Sequence, residues 1–153
     1  MRRDRMRVFL VVMDETEEAR AALRFAARRA AAADGAVHIL GIVAQQNVSA
    51  FGGVQATIEQ EARDRAEMLA HAAAGNLLSE IGIMPSITVK VGKAQALIRE
   101  FIEEHQEVAA LVLGAAEGTN PGPLVTHFST SAGTLPCPLY IIPEGYDEDD
   151  DKA

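Results

Sequence analysis

Residues 114–130, GAAEGTNPGPLVTHFST, carry the residue types from which proteins build anion sites. They follow the apolar run AALVLG and are rich in glycine, proline and hydroxyl side chains. Glycine lets backbone approach a ligand with no Cβ in the way. A helix that starts after such a loop turns unpaired N–H groups and the positive end of its dipole toward a phosphate. The chemistry this supports is the binding of a phosphorylated ligand; the competing reading is a loop that once did so and no longer can. Two well-known phosphate signatures are absent. No G-x-x-x-x-G-K-[ST] occurs anywhere, and MDETEEA stands after the first apolar run where a G-x-G-x-x-G would be needed.

The other reactive side chains do not assemble a centre. His38 lies within a strand pattern, His71 within a helix pattern and His105 near a helix end; His127 alone sits close to the glycine-rich loop. None has a cysteine or second histidine at metal-ligand spacing, so no metal is expected. Ser129, Thr130, Ser131 and Thr134 crowd one short helix, as helix-start hydroxyls, phosphate ligands or phosphorylation sites. No G-x-S-x-G elbow presents a serine nucleophile. Cys137 stands between two prolines with no local cation to activate it. Nothing here forms a catalytic constellation, and the chain reads as non-enzymatic.

The elements that must hold these residues alternate regularly. VFLVVM (residues 8–13) reads as a buried strand, and Thr16 can cap the helix after it, whose inner positions are Ala19, Ala22, Leu23, Ala26 and Ala30. AVHILGIV is a second strand. A long helix follows from about Val54 to Glu80, with Ile58, Ala62, Leu69, Ala73 and Leu77 on its inner face. SITVKV, ended by Gly92, is a third strand, and Leu97, Ile98, Phe101 and Ile102 mark a third helix. AALVL is a fourth strand, a short helix lies within residues 124–134 with Phe128 inward, and LYII is the fifth strand. Strand–helix alternation predicts βαβ units, a parallel sheet and helices on both faces. The first and fourth strands have almost no polar residues and are expected at the centre as neighbours. Asp14 and Gly114 would then face each other across the crevice beyond their carboxyl ends.

Composition bounds the partners. The 153 residues make one domain, expected over residues 1–143, with an acidic tail at 144–153 that reads as disordered. A net charge of −8 removes the attraction that drives binding to nucleic acid or to an anionic membrane. One cysteine excludes an internal disulfide and fits a reducing compartment. The apolar run near the N-terminus is too short for a signal peptide and nothing is long enough to span a bilayer, so the cytoplasm is the expected location.

The strand ending at Asp14, Gly92 after the third strand, LVLG at 111–114 and PCPLYIIP at 136–143 together resemble the universal stress protein family over about Val8 to Pro143. The resemblance implies a five-stranded parallel open sheet of order 3-2-1-4-5 and a homodimer through the edge strand from Leu139 to Ile142. It also implies a nucleotide crevice at Asp14, Val43, Gly92, Gly114 and Thr126, with Ile42 and Val43 offering backbone to an adenine edge. The ATP-binding branch of the family carries Gly, two residues, Gly, nine residues, then Gly and Ser or Thr. Counting from Gly114, the second glycine is Glu117 and the third is His127. Counting back from Pro136-Cys137-Pro138, Val125-Thr126 stand in place of the last pair. Glu117 brings a carboxylate and Val125 a branched side chain where phosphate would lie, and no Lys or Arg follows before Pro143. The expectation is a non-enzymatic stress-response homodimer with a degenerate nucleotide motif and no cofactor. The alternatives are an ATP- or AMP-binding switch or slow ATP hydrolase with a rearranged loop, and a binder of another small ligand in the same crevice.

Overall fold

In the computed structural model, residues 6–13, 17–45 and 53–146 are described. The elements run β1 (Val8–Met13), α1 (Glu17–Ala32), β2 (Ala36–Val43), α2 (Gly53–Ile81), β3 (Ser86–Val91), α3 (Ala94–Glu104), β4 (Val108–Ala115), α4 (Pro123–Thr130), a short 3-10 turn (Ala132–Thr134) and β5 (Leu139–Pro143). All five strands are parallel, in the order β3-β2-β1-β4-β5. β1 and β4 are neighbours at the centre, as their uninterrupted apolar sequences require of strands covered on both faces.

The strand order reverses between β1 and β4. The connections through α1 and α2 pack on one face, and those through α3 and α4 on the other. On the first face Val11, Ile39 and Val112 meet Ala22, Ala26 and Ala30 of α1, all fully buried. Alanines let α1 lie close to the sheet, and α1 is buried on a broad arc that also takes in Ala21, Phe25 and Ala27. On the second face Leu10, Leu40 and Leu111 meet Ile98, Phe101 and Phe128. Each large side chain removed from water here contributes roughly 1.5–3 kcal/mol.

The buried face of α2 agrees with the expected one at Leu77 and Ala73 and differs at Ile58 and Leu69. Ala70, Ala74 and Leu77 are its fully buried residues, whereas Ile58 and Leu69 are 37 % exposed on its flanks. The helix is apolar on more than one side, so hydrophobic spacing alone selects no single stripe. After β5, residues 144–146 are tied back to the sheet. The Glu144 N–H donates to the Ala115 carbonyl (2.9 Å), and Tyr146 stacks edge-on against Phe25. The rest of the acidic tail, from Asp147 on, lies outside the described residues, as do Asp14 and Thr16.

Candidate functional site

The switch point leaves a crevice at the carboxyl ends of β1 and β4, where such sheets bind ligands. Among the described residues two recesses are lined there. The first, about 120 Å³, is lined by Val12, Glu18, Leu113, Gly114, Gly122 and Val125 among others. The second, about 190 Å³, lies between the end of β2 and α2 and includes Met13, Ile42, Val43, Ala62, Arg65 and Leu69.

Gly114 is in the first recess, but its missing side chain serves packing. A Cβ there would run into the backbone of Glu18, in the first turn of α1. The space that glycine opens is therefore already filled by protein. The loop after β4 closes through the Ala116 N–H on the Pro121 carbonyl (3.2 Å), and α4 then starts at Gly122. Gly122 has φ +109°, a conformation that favours glycine. It stands eight residues after Gly114, where the family spacing would put the last glycine at thirteen. The shorter loop explains why counting along the sequence missed it. The legible signal was the Gly122-Pro123 pair, since proline is suited to the first position of a helix.

This helix start is a poor anion seat. Pro123 has no N–H, and the Gly122 N–H donates to Asn120 Oδ1 (3.3 Å). The Thr126 hydroxyl donates back to the Gly122 carbonyl (3.0 Å), so it is turned onto its own helix. Val125 does not bulge into the phosphate position; it is 6 % exposed and packs into the core beside Phe128. Glu117 is exposed and lines neither recess, its backbone N–H donating to Glu144 Oε1 (3.3 Å). Among the described lining residues of the first recess the acidic one is Glu18, a first-turn acid of α1 not expected at the site, and none is Lys, Arg or His.

Around the second recess, the Val43 carbonyl already accepts the Gly92 N–H (3.0 Å). Backbone groups of successive strand residues point to opposite neighbours, so those of Ile42 face the β1 side. Gly92 itself has φ +150° and turns the chain from β3 into α3, with Leu97 packed where a side chain would be; it lines neither recess. Of the five expected site residues, Gly114 and Val43 thus fall in adjoining recesses, Gly92 and Thr126 border neither, and Asp14 is outside the described residues. Arg65 was also missed, though it shares a helix flank with Ala62 and Leu69.

The histidines lie elsewhere. His38 Nε2 is 2.7 Å from Thr88 Oγ1 and its ring meets Phe101, which stacks on His105. Burial, and then the neighbouring His105, hold its pKa below the ordinary 6.5, while Glu107 pulls the other way. Burial pushes the Cys137 thiol up, against a hydrogen bond with the Leu111 backbone, so thiolate is scarce at neutral pH. Among the described residues no group of three or more His, Cys, Asp or Glu could hold a metal, and no helix is long and apolar enough to cross a membrane.

With this geometry in place the relationships are clear. The model of the universal stress protein family matches residues 6–143. The chain belongs to the universal stress protein family. No curated protein matches it. Among solved structures, it is similar to universal stress protein UspA from Lactobacillus plantarum (TM-score 0.76, 19 % identity, covering 90 % of this chain and 98 % of that one). It is also similar to a family member from Arabidopsis thaliana with AMP bound (TM-score 0.58, 17 % identity, 93 % and 94 % covered). A third is the Archaeoglobus fulgidus protein in complex with dAMP (TM-score 0.55, 17 % identity, 90 % and 97 % covered). At these identities the likeness is one of fold.

Proposed function

We propose that this universal stress protein acts in stress response as a non-enzymatic homodimer that does not hold a nucleoside triphosphate. The observation that carries this reading is the first recess. At about 120 Å³ it is well below the roughly 300–1,000 Å³ of ordinary ligand sites, it is bordered by Glu18, and the helix beside it has lost donors at Pro123 and Gly122. Three phosphates would meet a negative charge with no Lys, Arg or His among the described lining residues opposite.

The dimer reading is supported by β5. It is the sheet edge beyond β4, its residues are apolar, and Ile141 is 39 % exposed. Pairing with the same strand of a second copy about a two-fold axis would satisfy its outer backbone groups and cover Ile141. Pro138 and Pro143 lack N–H donors and limit such a ladder to a few residues.

One observation favours a second reading, a small nucleotide such as AMP. The recess beside Val43 combines apolar side chains with polar backbone and Arg65, and related structures are described with AMP, dAMP and cAMP. Native mass spectrometry of freshly purified protein separates the readings. Ligand-free dimers support the first; dimers carrying a monophosphate mass support the second; monomers contradict the β5 pairing.

A further inference from the structure

Outside the crevice, α3 is fastened to the segment between α4 and β5 by one arginine. Arg99 Nη2 donates to Ser131 Oγ and to Thr134 Oγ1, both at 3.0 Å. Its guanidinium carbon lies 5.5 Å from the Phe128 ring centroid, over the buried ring. Both hydroxyls have spent their protons on carbonyls, Ser131 on His127 (2.9 Å) and Thr134 on Ser131 (2.7 Å). They therefore turn lone pairs toward the arginine. Arg99 has no carboxylate partner among the described residues, in a chain with net charge −8. A planar fork of five N–H donors is here occupied by two neutral oxygens at one nitrogen, which leaves most of its capacity for an oxyanion unused.

We propose that Thr134 is a phosphoryl acceptor and that Arg99 is the built-in receptor for the phosphate. Of the two hydroxyl residues at the fork, Thr134 is the exposed one and Ser131 is half-buried. Ala132 and Gly133, next to it, are also exposed and too small to shield it. A separate serine/threonine kinase supplies the reaction. Thr134 Oγ1 attacks the γ-phosphorus of ATP, the bond from that phosphorus to the bridging oxygen breaks, ADP leaves, and the hydroxyl proton passes to the kinase's base. The product loses the weak bond from Thr134 to the Ser131 carbonyl. In its place a near-dianionic phosphate stands at the Arg99 fork, a charge-assisted and potentially bidentate pair. The pair ties α3 to the turn that leads into β5 at Leu139, so the modification rigidifies the approach to the sheet edge. It does not depend on whether the crevice binds a nucleotide.

Two measurements test this. Phosphothreonine is installed at position 134 of the full chain, and its phosphate is titrated by ³¹P NMR in the parent, Arg99→Gln and Arg99→Lys backgrounds. The parent should titrate below the usual value near 6, an order of about threefold to tenfold in proton affinity, with Lys intermediate and Gln unshifted. The phosphate should also raise the melting temperature in the parent and not in Arg99→Gln. Equal titration in all three folded backgrounds overturns the receptor assignment. Peptide mapping of the protein from growing and stressed source cells should find phosphate on Thr134. Its absence there under every condition, or its presence only on another hydroxyl, overturns the acceptor assignment.

Discussion

The two recesses at the carboxyl end of the sheet are close neighbours with opposite characters. The one between β1 and β4 is narrowed by the α1 backbone against Gly114 and lined by Glu18, and the helix start beside it offers no N–H from Pro123 while that of Gly122 is bonded to Asn120. The one between β2 and α2 is larger and bordered by alanines, Leu69 and Arg65. The two are built from different helices, α1 and α4 for the first and α2 for the second, so a change in one need not reshape the other.

Substitutions break this comparison unequally. Phe128→Ala removes a fully buried ring that anchors α4, and should cost about 3–5 kcal/mol, read as a melting-temperature drop of roughly 6–20 °C. Gly114→Ala forces a Cβ into the α1 backbone and should cost about 1–3 kcal/mol by chemical denaturation. Leu69→Ala, on the larger recess and 37 % exposed, should cost less than about 1.5 kcal/mol in the same assay. A loss for Leu69→Ala equal to that for Gly114→Ala would remove the distinction between the two sides.

A gain-of-function pair sharpens it. Pro123→Ser restores an N–H and adds a hydroxyl at the first turn of α4, and Glu18→Gln removes the charge from the recess. Together they should raise nucleotide affinity by about tenfold, in line with charge-assisted bonds of roughly 1.5–3 kcal/mol partly offset by the small cavity. Fluorescence titration with a labelled ATP checks this, and no gain would mean that cavity size alone controls binding.

How much of this was legible in the sequence differs between core and crevice. β1 and β4 announce themselves as central because VFLVVM and AALVL have no polar residue to turn to water. The inner face of α1 was readable because its arginines leave one apolar arc. The inner face of α2 was readable only in part, because alanines and larger apolar residues surround it, and only contact with the sheet selects Ala70 and Ala74. In the crevice, motif counting assumed a fixed loop length. In the structure the helix starts at Gly122, Val125 is a core residue and Glu117 lies outside both recesses. Close approach of Gly114 to Glu18, far away in sequence, has no local signal at all.

The smallest expected effect concerns the other end of the sheet. His38 faces Thr88 on β3 and Phe101 and His105 on α3, with Glu107 nearby. Its folded pKa is depressed, so the unfolded chain binds more protons as pH falls through 6.5, and stability falls with pH until the folded pKa is reached. His38→Gln should flatten the melting-temperature profile as pH falls through 6.5. An unchanged slope would assign that pH dependence to other groups.

The central claim is that the phosphate side of the crevice has closed, and calorimetric titration of the purified protein with Mg-ATP tests it most directly. The account predicts no saturable heat, a Kd weaker than about 1 mM, corresponding to less than roughly 4 kcal/mol of binding. A stoichiometric isotherm with a Kd near 1 μM, about 8 kcal/mol, would contradict it.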